Sequence, residues 1–232
     1  MWVFAAGMQR SGSTVQYQIA KELIKLARSG CDFGWIAPEN HYTLNKQYDY
    51  ENGLCLLKSH RVTDFIKDQM EFYNAVAIYS HRCILDVISS LKEKNKLNYT
   101  KDRLQAIVLE IKRSHDQWMQ WDNIVSQSYE DLIGNLEGCV NEIAIALNIN
   151  VTKNESKKIA DVLDINNQRR LIESLRHADG LVRVDENNIY DPESLLHLNH
   201  ISDGGIGRYK KNLTHSEIEI IKSVWPEGIC SC

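Results

Sequence analysis

Lys58, Ser59 and His60 stand directly after an apolar run, Gly53-Leu54-Cys55-Leu56-Leu57. A lysine can neutralise an anion. A histidine, whose ordinary pKa lies near neutrality, can take a proton from a hydroxyl. An earlier loop holds Arg10, Ser11, Gly12, Ser13 and Thr14, one guanidinium fork among hydroxyls and a glycine. Such a set suits a phosphate, which the fork can meet at two oxygens. Arg82, Asp86 and Ser90 are spaced by four and share one face of a helix. Gly204-Gly205-Ile206-Gly207-Arg208-Tyr209-Lys210-Lys211-Asn212 is a second glycine-rich loop, and a basic one. These groups could hold an anionic ligand and move a proton beside it.

The elements that position them follow from periodicity. Trp2 to Ala6 is a short apolar run, predicted as a buried strand, and Val15, Ile19, Leu23 and Leu26 form a helical stripe. Strand, glycine loop, helix is the layout of a phosphate cradle, because free N–H groups at a helix start point at the anion. Gly7, Gly12 and Thr14 keep the spacing G-x-x-x-x-G-K-[ST], but Ser13 replaces the lysine of nucleotide triphosphatases. The loop is expected to bind a phosphate-like group without being built for ATP hydrolysis.

Further strands are predicted at Cys31–Ile36, Gly53–Leu57, Ala75–Tyr79 and Asn123–Ser128. Helices are predicted at Val62–Phe72, Cys83–Lys96, Lys101–Trp121, Tyr129 to about Leu147, Lys153–Leu163 and Asn166–Ala178, with a last one capped by Thr214. Residues 37–52 read as a mobile loop over the site and 179–203 as irregular. Strands alternating with helices predict an α/β fold: three layers, α/β/α, with a central, mainly parallel sheet. The polar clusters sit at the strands' carboxyl ends, where such sheets bind ligands.

The chain has 232 residues, 43% hydrophobic and 25% charged, with net charge −4. No Pro/Gly/Ser-rich linker interrupts it, so one domain over residues 1–232 is expected. The negative balance argues against broad attraction to nucleic acid or anionic membrane. No segment is long enough to span a bilayer, and the first apolar run lacks a basic flank, so it is read as a core strand rather than a leader. Cys31, Cys55, Cys83, Cys139, Cys230 and Cys232 are dispersed, which reads as reduced thiols of a cytoplasmic protein. The Asn-x-Ser/Thr sequons at Asn98, Asn150, Asn154 and Asn212 then carry no message. His197 and His200 lack an evident third metal ligand and read as loop polarity. His115 reads as structural or cleft-lining, and Trp118 and Trp121 as core.

Five stretches, in order, resemble the sulfotransferases that use 3′-phosphoadenosine 5′-phosphosulfate (PAPS). Gln9 to Thr14 resembles their P-[KR]-S-G-[TS]-[TS] loop, and Lys58-Ser59-His60 their K-[TS]-H strand end. Arg82, Asp86 and Ser90 keep the spacing of R-x-P-[KR]-D-x-x-x-S. Tyr129 to Leu132 is their Y-E-D-L, and Gly204, Gly207 and Lys210 match G-x-x-G-x-W-K with Tyr209 for tryptophan. The chain departs from the pattern at Gln9, at Cys83-Ile84-Leu85 and at Ser202-Asp203, where many relatives carry Arg-Lys. Arg10 in place of lysine is the variant of carbohydrate-type and many bacterial members.

The resemblance implies a P-loop-containing sulfotransferase fold and transfer of a sulfuryl group from PAPS, with 3′,5′-adenosine bisphosphate (PAP) as product. Its catalytic residues would be His60 as base, with Lys58 and Arg10 as cationic help for the leaving oxygen. Arg10, Ser11, Gly12, Ser13 and Thr14 would take the 5′-phosphate. Arg82, Ser90 and Gly204 would take the 3′-phosphate, with Arg208, Lys210 or Lys211 compensating for Ser202-Asp203, and Tyr129 would meet adenine. No metal is expected. Arg82 pairing with Asp86, and Tyr129 as a core residue, stay open beside these roles. The acceptor is expected to be a hydroxyl of a small soluble metabolite of secondary metabolism, less so an amine, with a sugar also open. The partners are then that acceptor alone, with no nucleic acid and no membrane; the oligomeric state stays open, a homodimer among the options. A P-loop nucleotide or small-molecule kinase and a non-catalytic nucleotide-binding protein are the alternatives.

Overall fold

A computed structural model describes residues 1–44, 53–72, 75–95, 98–185, 188–199, 201 and 204–228. Its centre is a sheet of β1 (Trp2–Gly7), β2 (Gly30–Trp35), β3 (Leu54–Lys58), β4 (Ala75–His81) and β5 (Ile124–Ser128), in the order β2-β3-β1-β4-β5. Every pairing in it is parallel. The innermost strand, β1, is buried at each position, as a strand covered on both faces must be.

Alternation along β1 divides the core. Trp2, Phe4 and Ala6 face one apolar cluster, while Val3 and Ala5 face another. The first cluster is closed by α2 (Asp64–Phe72), α3 (Ile84–Asn95), α4 (Lys101–Trp118) and α10 (His215–Val224). The second is closed by α1 (Ser13–Ala27), α5 (Tyr129–Gly134), α6 (Leu136–Ala146) and α7 (Lys153–Leu163). This is the expected three-layer α/β/α arrangement. Two short helices complete the set, α8 (Ile165–Leu175) and α9 (Tyr209–Asn212).

The order reverses at β1: its partner β3 lies on one side and β4 on the other. The crevice outside the carboxyl ends of β1, β3 and β4 is the switch point where open α/β sheets take ligands. Lys58 ends β3, Gly7 ends β1 and His81 ends β4.

Some elements differ from expectation. Helix α2 starts at Asp64, not Val62, because the Thr63 hydroxyl accepts from the Ile66 N–H and takes the capping place. The single helix expected from Tyr129 breaks at Asn135, whose side chain caps α6 by accepting from Gly138 N–H. Residues 37–44 carry regular structure where a loop was expected. Pro38–Thr43 is a 3-10 turn pinned by buried His41, which meets Thr63 Oγ1 and the Ile36 carbonyl at 3.0 Å each. Residues 45–52 lie outside the described ones. Within the stretch read as irregular, β6 (Val182–Asp185) pairs antiparallel with β7 (Asn188–Tyr190). His115 is structural: it bonds the Tyr79 hydroxyl at 3.1 Å and packs against Trp225. Trp118 is core, with Trp121 packed edge-on against it.

Candidate active site

The loop between β1 and α1 turns sharply at Gly12, which caps the helix with φ 90°. Only a residue without Cβ holds that geometry at low cost, and here a Cβ would also meet Leu132 Cδ1 at 2.9 Å. The first N–H groups of α1 therefore open toward the loop. Ser13 and Thr14 are buried at this start. Ser11 is buried too, but its hydroxyl serves the protein: it meets Met8 O at 2.6 Å, Ser80 O at 3.0 Å and Ser80 Oγ at 2.6 Å. What Ser11 can offer an anion is its backbone, not its side chain. From the neighbouring strand, the buried Lys58 ammonium donates to Thr14 Oγ1. Burial alone pushes the Lys58 pKa down to about 7.

A second cluster forms where α3 meets the glycine-rich basic loop. Arg10 Nε donates to Ser90 Oγ at 2.9 Å. Arg82 donates to Gly205 O at 2.6 Å and to Arg10 O at 3.3 Å, and its guanidinium lies 3.9 Å over the Tyr129 ring. The Tyr129 hydroxyl in turn donates to Gly204 O at 3.2 Å. Asp86, fully buried, accepts from Gly207 N–H at 2.7 Å and Tyr209 N–H at 3.1 Å, with Arg82 3.6 Å away. It thereby ties the glycine loop to the start of α3. Arg208 pairs with Glu93 at 2.9 Å. The Arg10 pKa is lowered by burial and then by nearby Arg82. Guanidiniums crowded together out of water mark a place that an anion would relieve.

Among the described residues, Arg82 Nε is buried with no acceptor. It belongs to the wall of a cavity shared by Arg10, Gly12, Thr14, Ser90, Arg208 and Gly204. Leu132, Leu163, Ile165 and Leu196 give that cavity an apolar side. An unmatched buried donor, a helix start and an apolar wall fit a nucleotide carrying phosphates at two positions.

His60 faces the opposite way. Its Nδ1 lies 2.8 Å from Gly7 O, and it lines a larger cavity of about 980 Å³ with Gly7, Met8, Gln9, Ser114 and Gln117. The His60 carbonyl accepts from Ser114 Oγ at 2.9 Å and Trp118 Nε1 at 3.3 Å, which fixes the ring's backbone against α4. Burial, and then Lys58, pushes the His60 pKa down to about 4. One loop thus walls both cavities: Gly7 to Gln9 the larger, Arg10, Gly12 and Thr14 the smaller.

Not every expected residue joins this geometry. Lys210 is exposed, with its ammonium 5.8 Å from the Tyr209 ring, and is absent from the cavity wall that Arg208 lines. Lys211 is likewise exposed. Tyr129 is buried beneath Arg82 and also lines the cavity. Arg82 does pair with Asp86, also alongside its place in the wall. Ser202, Asp203 and His200 lie outside the described residues. One further group was not singled out, and another was read only as loop polarity. Lys94 and His197 are electrostatic neighbours of Arg10, and His197 also of Lys58 and His60. His197 is brought there by a bridge to Tyr190.

No family model and no curated protein matches the sequence. Solved structures do match. Mouse sulfotransferase SULT7A1 complexed with PAP aligns with TM-score 0.70 and 12% identity, over 97% of this chain and 82% of that one. Retinol dehydratase aligns with TM-scores of 0.66 in its complex with retinol and PAP and 0.65 with androsterone and inactive cofactor PAP. Both alignments have 15% identity and cover 98% of this chain and 80% of theirs. The chain has the PAPS-dependent sulfotransferase fold. Within that sulfotransferase fold, the glycine loop after β1 and the polar end of β3 flank the switch point described above. Among the described residues, no helix is long and apolar enough to cross a membrane.

Proposed function

We propose that the chain is a PAPS-dependent sulfotransferase acting on a hydroxyl, with His60 as general base. The observation that carries this reading is the loop shared between two cavities, with His60 in the wall of one and Arg10 and Thr14 in the wall of the other. A nucleotide donor and an acceptor would meet across residues 7–14. PAPS, when bound, supplies a sulfuryl group on a phosphate oxygen that leaves with negative charge.

The residues are suited to such a transfer. His60 Nδ1 faces a carbonyl, which only accepts, so the proton sits on Nδ1. The other ring nitrogen then keeps its lone pair for the acceptor hydroxyl's proton as the oxygen–sulfur bond forms. Lys58 and Arg10 place cationic donors where the phosphate oxygen departs as the old sulfur–oxygen bond breaks. The N–H groups at the start of α1, with Ser13 and Thr14, would hold the 5′-phosphate. Arg82 and Ser90, with Arg208, would hold the 3′-phosphate. Catalysis is then positioning plus charge stabilisation, with no step assigned to a metal. The described thiols, Cys31, Cys55, Cys83 and Cys139, form no disulfide, which supports a cytoplasmic setting.

Thermal unfolding with PAP, beside ATP with magnesium, tests the reading. PAP is expected to stabilise the protein more. Equal or greater stabilisation by ATP–magnesium would favour a kinase and sink it.

A further inference from the structure

We infer that the acceptor carries an anionic group, a carboxylate or sulfate, and that Arg103 and Arg113 recognise it. The inference rests on the sulfotransferase reading, because it treats the larger cavity as the acceptor site.

Charge on that cavity's wall is uneven. Arg61, Arg103 and Arg113 line it, against a single carboxylate, Glu110. Glu110 lies 3.7 Å from Arg61, so those two offset each other. Arg103 and Arg113 have no ion-pair partner among the described residues. On the same helix Lys112, by contrast, is paired with Asp116 at 2.8 Å. Two unpaired guanidiniums on one wall raise the local potential toward anions and gain nothing from a neutral occupant.

Their placement matches a reacting hydroxyl. Arg113 adjoins Ser114, whose hydroxyl donates to the His60 carbonyl at 2.9 Å. Arg113 and His60 thus belong to one wall of the cavity. Arg103 is ten residues nearer the start of α4, ~15 Å along the axis at the rise of an α-helix. Ile107 and Ala106 line the cavity between them, so the acceptor would present an apolar or sugar-ring body there. An extended hydroxylated molecule with acidic substituents fits this wall, and a compact neutral alcohol leaves both guanidiniums unused.

The test compares 4-nitrophenyl β-glucoside with 4-nitrophenyl β-glucuronide, which differ only at C6, a hydroxymethyl in the first and a carboxylate in the second. Each is titrated calorimetrically into protein saturated with PAP. The glucuronide is expected to bind about tenfold tighter, and the gap to shrink with added salt. In the double variant Arg103→Ala/Arg113→Ala the gap closes, while PAP affinity holds within about twofold. Arg103→Lys/Arg113→Lys retains part of the preference. Equal binding of the two glycosides, or binding of neither, overturns the inference and leaves the sulfotransferase reading standing. Failure of PAP itself to bind overturns both.

Discussion

The imidazole Nδ1 of His60 lies 2.8 Å from the carbonyl oxygen of Gly7. Gly7 ends β1 and His60 follows β3, so neighbouring parallel strands fix one ring in one tautomer. The proposed base needs that orientation from a second group, and a backbone carbonyl supplies it. His60→Ala should lower transfer by about 10²–10⁴ while PAP affinity holds within about twofold. Loss of PAP binding in this variant would leave the base assignment unsupported.

In its proposed role the same ring sets the acid limb of the rate profile. Burial, then Lys58, depresses its pKa to about 4. Its base form is therefore present above that value and is lost as pH falls through it. The dependence of kcat/KM on pH should show no loss near 6.5 attributable to His60. An acid limb centred at the ordinary histidine value, abolished in His60→Ala, would contradict this.

Lys58 should make nucleotide binding depend on pH. Its folded pKa of about 7 lies below the unfolded value of about 10.4. Between these, the unfolded chain binds more protons, so this group makes the empty protein more stable as pH rises from 7 to 10. Anion binding favours the ammonium, so PAP should bind with proton uptake and weaken above pH 7. Calorimetry in two buffers of different ionisation enthalpy reads the uptake, and Lys58→Met should remove it.

Asp86 holds the glycine loop rather than the ligand. Asp86→Ala removes the acceptor of two backbone N–H groups and leaves buried Arg82 without its carboxylate. A loss of about 3 kcal/mol is expected in urea unfolding, with weakened PAP binding. Arg82→Met should weaken PAP at least as much yet cost less stability. The opposite ranking would show that Arg82 serves the fold alone.

Gly7 admits no side chain. A Cβ there would stand 2.2 Å from Ser80 Oγ and 2.8 Å from Ser80 O. That carbonyl accepts from Met8 N–H at 2.9 Å and cannot yield. Gly7→Ala should cost about 2 kcal/mol or more, read as a lower urea midpoint, and displace the carbonyl that orients His60. Wild-type stability and rate in this variant would refute the close-packing account.

The sequence by itself determined the layers and much of the site. The apolar runs of β1, β3 and β4, and the helical stripe of α1, are local patterns that survive any packing. Glycine spacing around Arg10, and Lys58-Ser59-His60 at a strand's end, were legible because strand ends and helix starts are local features. Tertiary structure decided which way each polar group points. Ser11 turned inward because Ser80, on the adjacent strand, offered partners at hydrogen-bond distance. Lys210 turned to solvent, leaving Arg208 at the cavity, because Asp86 pins the Gly207 and Tyr209 N–H groups and sets the loop's rotation. His197 reached the site's electrostatic neighbourhood through a bridge to Tyr190, a pairing with no local code. Residue types and short spacings prescribe what a segment can do; the long-range bonds between segments prescribe where its side chains do it.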